Sequence, residues 1–314
     1  MAILVVTNRN IRDKNATDVT LFGEGVNAKG PSELRLAWAE FKNQRWQLEL
    51  IGEPGNMTAD TAPSLQVFLA CIDNLQQTGR NCALYVHGFN KSFEESLDQA
   101  GLIHDKYQVA TVVFSWPSNP GGLITNEYAR ARSIAASSVV AFDRLLGLLD
   151  RYLRSHSPDE CNTSFNLLVH SLGNYLFEKF VRDPIFGGQT RIFDNLFLHQ
   201  ADVDRRAHSE WVRQLRFARR IYVTVNERDS ILNLADVIQP DRLGNTVRGA
   251  KLNRPHYVDF TGAERIGKKH QLFGSGAAAN DNVKGFFQRG LNGHKAHEGQ
   301  GISFDETNGF YEVA

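Results

Sequence analysis

The chain has 314 residues, and its 35 basic and 35 acidic side chains give a formal net charge of 0, which excludes broad electrostatic capture of nucleic acid or of an anionic membrane surface. A hydrophobic fraction of 42% with 22% charged residues supplies a sizeable core and excludes the disordered and fibrous classes. Three cysteines, Cys71, Cys82 and Cys161, make no disulfide framework, no run approaches ~20 uninterrupted apolar residues, and the opening apolar run ends at Asn8, so a cytoplasmic chain without a membrane span or leader is expected.

Taken in chain order, short apolar strands alternate with amphipathic helices. Ile3–Thr7 is a predicted strand, and Arg9 to Glu40, rich in Gly, Asn and Asp, is expected as a long, partly covering loop. After a strand at Trp46–Ile51, the segment Pro63 to Gly79 places Leu65, Phe68, Leu69, Ile72 and Leu75 at helical spacing. The strand Cys82–His87 precedes a helix whose Ser92 and Glu95 form a capping-box start. Beyond the strand Val109–Ser115, one long helix is expected from Tyr128 to Leu153. The remaining strands are Ser164–His170, Asn195–His199, Arg220–Val225 and His256–Phe260. Runs such as Ile221, Tyr222, Val223 and Val225 are continuous rather than alternating, which suits central strands covered on both faces. The pattern predicts an α/β chain with a doubly wound, mostly parallel sheet flanked by helices. Residues 1–293 are expected as one domain and 294–314 as a polar, Gly-rich tail. Ligands in such sheets bind at the carboxyl ends of the strands.

The chemistry concentrates there. In Leu167-Leu168-Val169-His170-Ser171-Leu172-Gly173-Asn174 an apolar strand runs into a short turn and then a helix. A sharp turn of this kind lifts a serine hydroxyl above the sheet edge, and the helix N-terminus favours developing negative charge. Val169 stands where the usual G-x-S-x-G pattern has its first glycine, so the motif is incomplete. In Leu84-Tyr85-Val86-His87-Gly88-Phe89-Asn90 a strand also ends in a turn, and there Gly88 permits close backbone approach to a ligand. The backbone N–H groups of Phe89 and Leu172 are the expected oxyanion donors. A serine elbow calls for an acid and then a histidine downstream, and Asp229 and His270 follow later strands in that order. Asp202, one strand earlier, is the alternative acid. Ser171 would attack an acyl carbon, His270 would take its proton, and Asp229 would orient the imidazole. Lys268 and Lys269 would disfavour the protonated ring.

Other polar residues have structural readings. His199 is expected to be buried and hydrogen-bonded, Glu227 to be solvated, and His294 and His297 to lie on the surface of the tail. His294-x-x-His297 lacks the glutamate and helix of a zinc site, so no metal and no cofactor is expected. Phe114-Ser115-Trp116-Pro117-Ser118 and the following Asn119-Pro120-Gly121-Gly122 close another strand, where Trp116 and Tyr128 either line a substrate pocket or pack in the core.

Together, Val86-His87-Gly88-Phe89-Asn90, Val113-Phe114-Ser115-Trp116-Pro117-Ser118 and Val169-His170-Ser171-Leu172-Gly173-Asn174 resemble the esterase/lipase-like bacterial branch of the α/β-hydrolase superfamily. Ala201-Asp202-Val203-Asp204, Arg242-Leu243-Gly244 and the opening Val5-Val6-Thr7-Asn8-Arg9 are weaker echoes. The resemblance spans about Ile3 to Phe273. It implies the α/β-hydrolase fold and a Ser171-Asp229-His270 hydrolase acting on small-molecule carboxylic esters, with no substrate assigned to the branch. A catalytically silent scaffold that binds a partner, or a related acyl-transfer or amide-cleaving enzyme, are the competing readings.

Overall fold

The computed structural model describes residues 2–53, 63–119, 124–156, 163–182, 191–236, 241–248 and 252–314. Cys161 and Pro120 to Gly122 lie outside the described residues. Two compact units divide the chain, Met1–Thr163 and Ser164–Ala314.

The first unit contains β1 (Ala2–Thr7), β2 (Arg9–Ile11), β3 (Phe22–Val26), β4 (Arg35–Lys42), β5 (Arg45–Leu50), α1 (Leu65–Gln76), β6 (Cys82–Val86), α2 (Phe93–Tyr107), β7 (Ala110–Ser115), α3 (Ile124–Ser137) and α4 (Val139–Ser155). Its main strands run in the order β6-β7-β1-β4-β5. Pairing is parallel from β6 through β7 to β1 and antiparallel from β1 through β4 to β5. Strands β6 and β7 are buried along their whole length, as their continuous apolar runs require. The predicted capping box is present: the Ser92 hydroxyl accepts from Glu95 N–H, and the Glu95 carboxylate accepts from Ser92 N–H.

Two expectations in this unit are corrected. Arg9 to Glu40 is not one covering loop, because it holds β2 and β3, which pair with each other, and most of β4. The signal for β4 was the two-residue turn Asn43-Gln44, both at positive φ (52° and 61°), which closes the β4–β5 hairpin. The long helix divides into α3 and α4 at Ser138. There the serine hydroxyl donates back to Ile134 O (2.8 Å) and accepts from Asn8 Nδ2 (2.9 Å), so a side chain competes with the helical ladder.

The second unit contains β8 (Phe165–His170), α5 (Gly173–Arg182), β9 (Phe193–His199), α6 (His208–Val212), β10 (Ala218–Val225), α7 (Ser230–Asp236), β11 (His256–Asp259), α8 (Asp281–Leu291), β12 (Ile302–Asp305) and β13 (Phe310–Val313). The strand order is β8-β9-β10-β11-β13-β12, parallel except for the final β13–β12 pair. His170, His199 and Thr224 stand in register at the carboxyl ends of β8, β9 and β10. The turns that follow those strands therefore open at one level of the sheet. Among the described residues, no helix is long and apolar enough to cross a membrane.

Residues 294–314 are not a loose polar tail. Ala296 N–H donates to the Tyr222 hydroxyl (3.0 Å), and β13 pairs with β11 in the register Val258↔Tyr311 and Asp259↔Glu312. Burial at both ends of β13 is the physical reason: Phe310 and Val313 are buried while Tyr311 and Glu312 between them reach solvent. His297, expected on the surface, is half-buried and accepts from or donates to the Tyr222 hydroxyl at 3.1 Å. Deleting residues 301–314 should lower stability by about 3 kcal/mol or more, from the lost burial of Phe310 and Val313 alone. Denaturant unfolding of the truncated and full chains checks this; equal midpoints and slopes would show the segment to be dispensable.

Candidate active site

Ser171 lies between β8 and α5 with φ at 54°, a left-handed conformation that costs a non-glycine residue about 1 kcal/mol or more. The turn is held by its surroundings. Ser171 N–H donates to His199 O (3.0 Å), and Ser171 O accepts from Asn174 N–H (2.9 Å) and Asp202 N–H (3.3 Å). The fully buried Asn174 side chain donates through Nδ2 to Val169 O (3.0 Å) and Ser171 O (3.1 Å). Asn174 thus latches the last residues of β8 to the first turn of α5, a role that the sequence motif contained but did not declare.

Asp229 follows β10 and is fully buried. Its Oδ1 accepts from Ile231 N–H (2.9 Å) and Leu232 N–H (3.1 Å) at the start of α7. Its Oδ2 lies 2.6 Å from His270 Nδ1 and 3.2 Å from Gln200 Nε2. His270 comes from the irregular segment after β11, which is tied to the Asp229 loop at several points. Asn226 Nδ2 donates to Gly267 O and Lys269 O, both at 2.9 Å, and Ser230 N–H donates to Lys268 O (3.3 Å). The His270 ring lies 4.8 Å, centroid to centroid, from that of His170, the residue immediately before Ser171. The structure therefore joins Asp229 to His270 directly and sets the pair beside the serine turn.

His199 is a buried, hydrogen-bonded histidine. Its Nδ1 hydrogen donates to Thr224 Oγ1 (2.7 Å), and its Nε2 accepts from Leu272 N–H (3.2 Å), so it anchors the backbone two residues beyond His270. Burial, with His270 nearby, pushes it well below the ordinary histidine range and keeps it neutral.

The alternative acid, Asp202, is committed elsewhere. It forms a buried ion pair with Arg242 (3.0 Å), both side chains being almost wholly inaccessible. Gly244, two residues on, presses against the turn after β9: a Cβ there would stand 2.5 Å from Gln200 C and Ala201 N. Glu227 accepts from the Thr246 hydroxyl (2.7 Å) and pairs with Arg248 (3.3 Å).

Leu172 follows Ser171 in the same turn, while Phe89, Trp116 and Tyr128 belong to the first unit. His87 Nε2 accepts from Trp116 N–H (3.2 Å), and its Nδ1 hydrogen donates to Gly88 O (3.0 Å). Burial, with the Arg9 guanidinium nearby, lowers His87 to about 3, so the ring is neutral and this pattern is stable. Because a trans peptide sets its C=O and N–H on opposite sides, anchoring Gly88 O turns the Phe89 N–H away from His87. Among the described residues, neither Phe89 N–H nor Leu172 N–H donates a hydrogen bond within the chain. The Phe89 ring meets Tyr128 edge-on at 5.6 Å. Trp116 is fully buried, stacked on His87 at 5.5 Å, and donates from Nε1 to His87 O (2.9 Å). That is the core role weighed against a pocket-lining one. Among the described residues, one cavity of about 690 Å³ is bordered by Trp38, Trp46 and Arg45 and another of about 410 Å³ by Arg213, Arg216 and Arg254. Neither is lined by Ser171, Asp229 or His270. Among the described residues no cluster of His, Cys, Asp and Glu could hold a metal ion.

Replacing Arg242 by Leu would leave the buried Asp202 carboxylate without its cation and should cost about 3–5 kcal/mol. Replacing both, as Asp202→Leu with Arg242→Leu, should cost less than Arg242→Leu alone. Chemical denaturation of the single and double variants checks the coupling; a double variant no more stable than Arg242→Leu would contradict it.

A search of curated proteins gave no match. A search of solved structures found a cold-adapted esterase from an Arctic intertidal metagenomic library, in a polyethylene glycol-bound complex, with 10% identity and a TM-score of 0.32, covering 81% of this chain and 94% of that one. A likeness at that level carries no argument about substrate or mechanism. A family model described as "Alpha/beta hydrolase of unknown function (DUF900)" matches residues 69–263. That span runs from within α1 through β11 and includes the Ser171 turn and Asp229. With more than half of its length matched and with the strand–helix alternation described above, the chain belongs to this family of α/β hydrolases.

Proposed function

We propose that the protein is a serine hydrolase that cleaves small-molecule carboxylic esters through an acyl-enzyme on Ser171. The observation that carries this reading is the 2.6 Å contact between buried Asp229 and His270 beside the left-handed Ser171 turn. An aspartate accepting from Nδ1–H leaves Nε2 of the imidazole as the base. His270 takes the Ser171 hydroxyl proton as the oxygen attacks the ester carbon. The tetrahedral oxyanion is held by Leu172 N–H, with Phe89 N–H as the second donor of this reading. His270 returns the proton to the departing alcohol, and water, activated by the same imidazole, then cleaves the acyl-enzyme. Asp229 fixes the ring tautomer and stabilises the imidazolium. The same reading needs no cofactor or metal, and the sparse, odd cysteine count favours a reducing, cytoplasmic setting.

Activated acyl esters test the assignment. Ser171→Ala and His270→Ala should each lower kcat/KM by about 10⁴-fold or more, and Asp229→Asn by about 10³- to 10⁴-fold, with folding intact. Asp202→Asn should act through stability rather than turnover. Near-wild-type hydrolysis by Ser171→Ala would rule out this nucleophile, and equal inactivity of every variant and the parent would favour the silent scaffold.

A further inference from the structure

Gln200 occupies a position that the proposed mechanism does not use. It follows β9 as Ser171 follows β8, and the last residues of those strands, His199 and His170, are register partners. Both residues take left-handed backbone conformations, Gln200 with φ at 42° and Ser171 with φ at 54°. Left-handed non-glycine residues persist only where their surroundings impose them. Here the imposing element is Gly244, whose missing side chain lets the backbone lie against Gln200 C and Ala201 N. The Gly244 N–H also donates to Ala201 O (3.0 Å), and the turn continues into Asp202, whose N–H donates to Ser171 O.

From this turn the fully buried Gln200 side chain reaches Asp229 Oδ2 with Nε2 at 3.2 Å, the same oxygen that faces His270 Nδ1 at 2.6 Å. The amide cannot be turned over, because its oxygen would then face a carboxylate oxygen. Its Oε1 is buried with no hydrogen-bond partner among the described residues. A buried amide with half its capacity unused is a cost to folding, and its Nε2 contact with Asp229 is the compensation on view.

We infer that Gln200 is a positioning residue for the hydrolytic site, donating a second hydrogen bond to the Asp229 oxygen that holds His270 and so setting how strongly that carboxylate binds the imidazolium. The inference rests on the Ser171-Asp229-His270 reading. Sharing the carboxylate charge with an amide weakens its hold on the protonated ring, which favours the neutral base. His270 is faced by Asp229, by the ring of His170 and by the neutral, buried His199, with Lys268 and Lys269 on its own segment. Of these groups, Asp229 is the one to which the Gln200 side chain donates a hydrogen bond.

Two variants of the full chain test this. Gln200→Leu removes the donor and keeps the volume, and Gln200→Glu replaces it with an acceptor. In both, kcat should fall about 10- to 100-fold with little change in KM, since Gln200 holds the base rather than the substrate. The acid limb of kcat/KM should move to higher pH, further in Gln200→Glu than in Gln200→Leu. A parallel NMR measurement, needing no turnover, follows the His270 imidazole N–H proton and its titration, which should shift in the same direction. Folded variants with an unmoved NMR titration would overturn the inference, whatever their activity. A shifted titration in a protein that hydrolyses no ester would uphold the Gln200–Asp229 coupling and overturn the hydrolase reading instead.

Discussion

A carboxylate with no access to water must find its solvation inside the protein, and Asp229 finds it from four donors. An isolated buried charge is costly enough that the fold would neutralise or expel it. Here the donors come from different places: two backbone N–H groups at the start of α7, the Gln200 side chain from the turn after β9, and His270 from the segment after β11. Satisfying one charge therefore draws three connections of the second unit to one point. The sheet register makes this possible, since His170, His199 and Thr224 end their strands at the same level.

The supporting contacts follow a common logic. Each element near Ser171 is fixed by hydrogen bonds from a neighbouring strand or connection. Asn174 ties the serine turn to the end of β8, and His199 ties Thr224 to the backbone beyond His270. The Asp202–Arg242 pair sits at the turn that carries Gln200. Two strained residues, Ser171 and Gln200, are tolerated because their neighbours leave them no alternative. In the first unit, neutral His87 sets one peptide orientation in the same way, with Trp116 stacked against it. Rigidity of this kind is what electrostatic stabilisation of a transition state requires, since donors in place beforehand need no reorganisation.

Much of the fold was legible in the sequence because continuous apolar runs mark buried parallel strands. Ile221 to Val225 and Leu167 to Val169 are read that way without ambiguity, and both lie in buried parallel strands. Elements with mixed composition were not legible. β4 carries Arg35, Glu40 and Lys42 among its apolar residues, and its clearest marker was the Asn43-Gln44 turn. The C-terminal strands are short and mostly exposed, so their pattern resembles that of a polar tail. The break between α3 and α4 depends on a hydrogen bond from Asn8, more than a hundred residues away in the chain, which no local pattern records. For the site, the chain order of Ser171, Asp229 and His270 was readable and pointed to Asp229, with Asp202 left as the alternative acid. The choice between the two turns on Arg242, whose ion pair with Asp202 exists only in three dimensions. Gln200 carried no signal at all, since a lone polar residue after a strand is ordinary.

In the proposed reading, Ser171 is a nucleophile whose reactivity depends on its turn and on the Asp229–His270 pair. Labelling of the intact protein with a fluorophosphonate, read by mass spectrometry of the whole chain and of its peptides, addresses that dependence without assuming any substrate. A single adduct on Ser171, lost in His270→Ala and strongly slowed in Asp229→Asn, is the result expected of a serine activated by this pair. An adduct on another residue, or no adduct on a correctly folded chain, would contradict it.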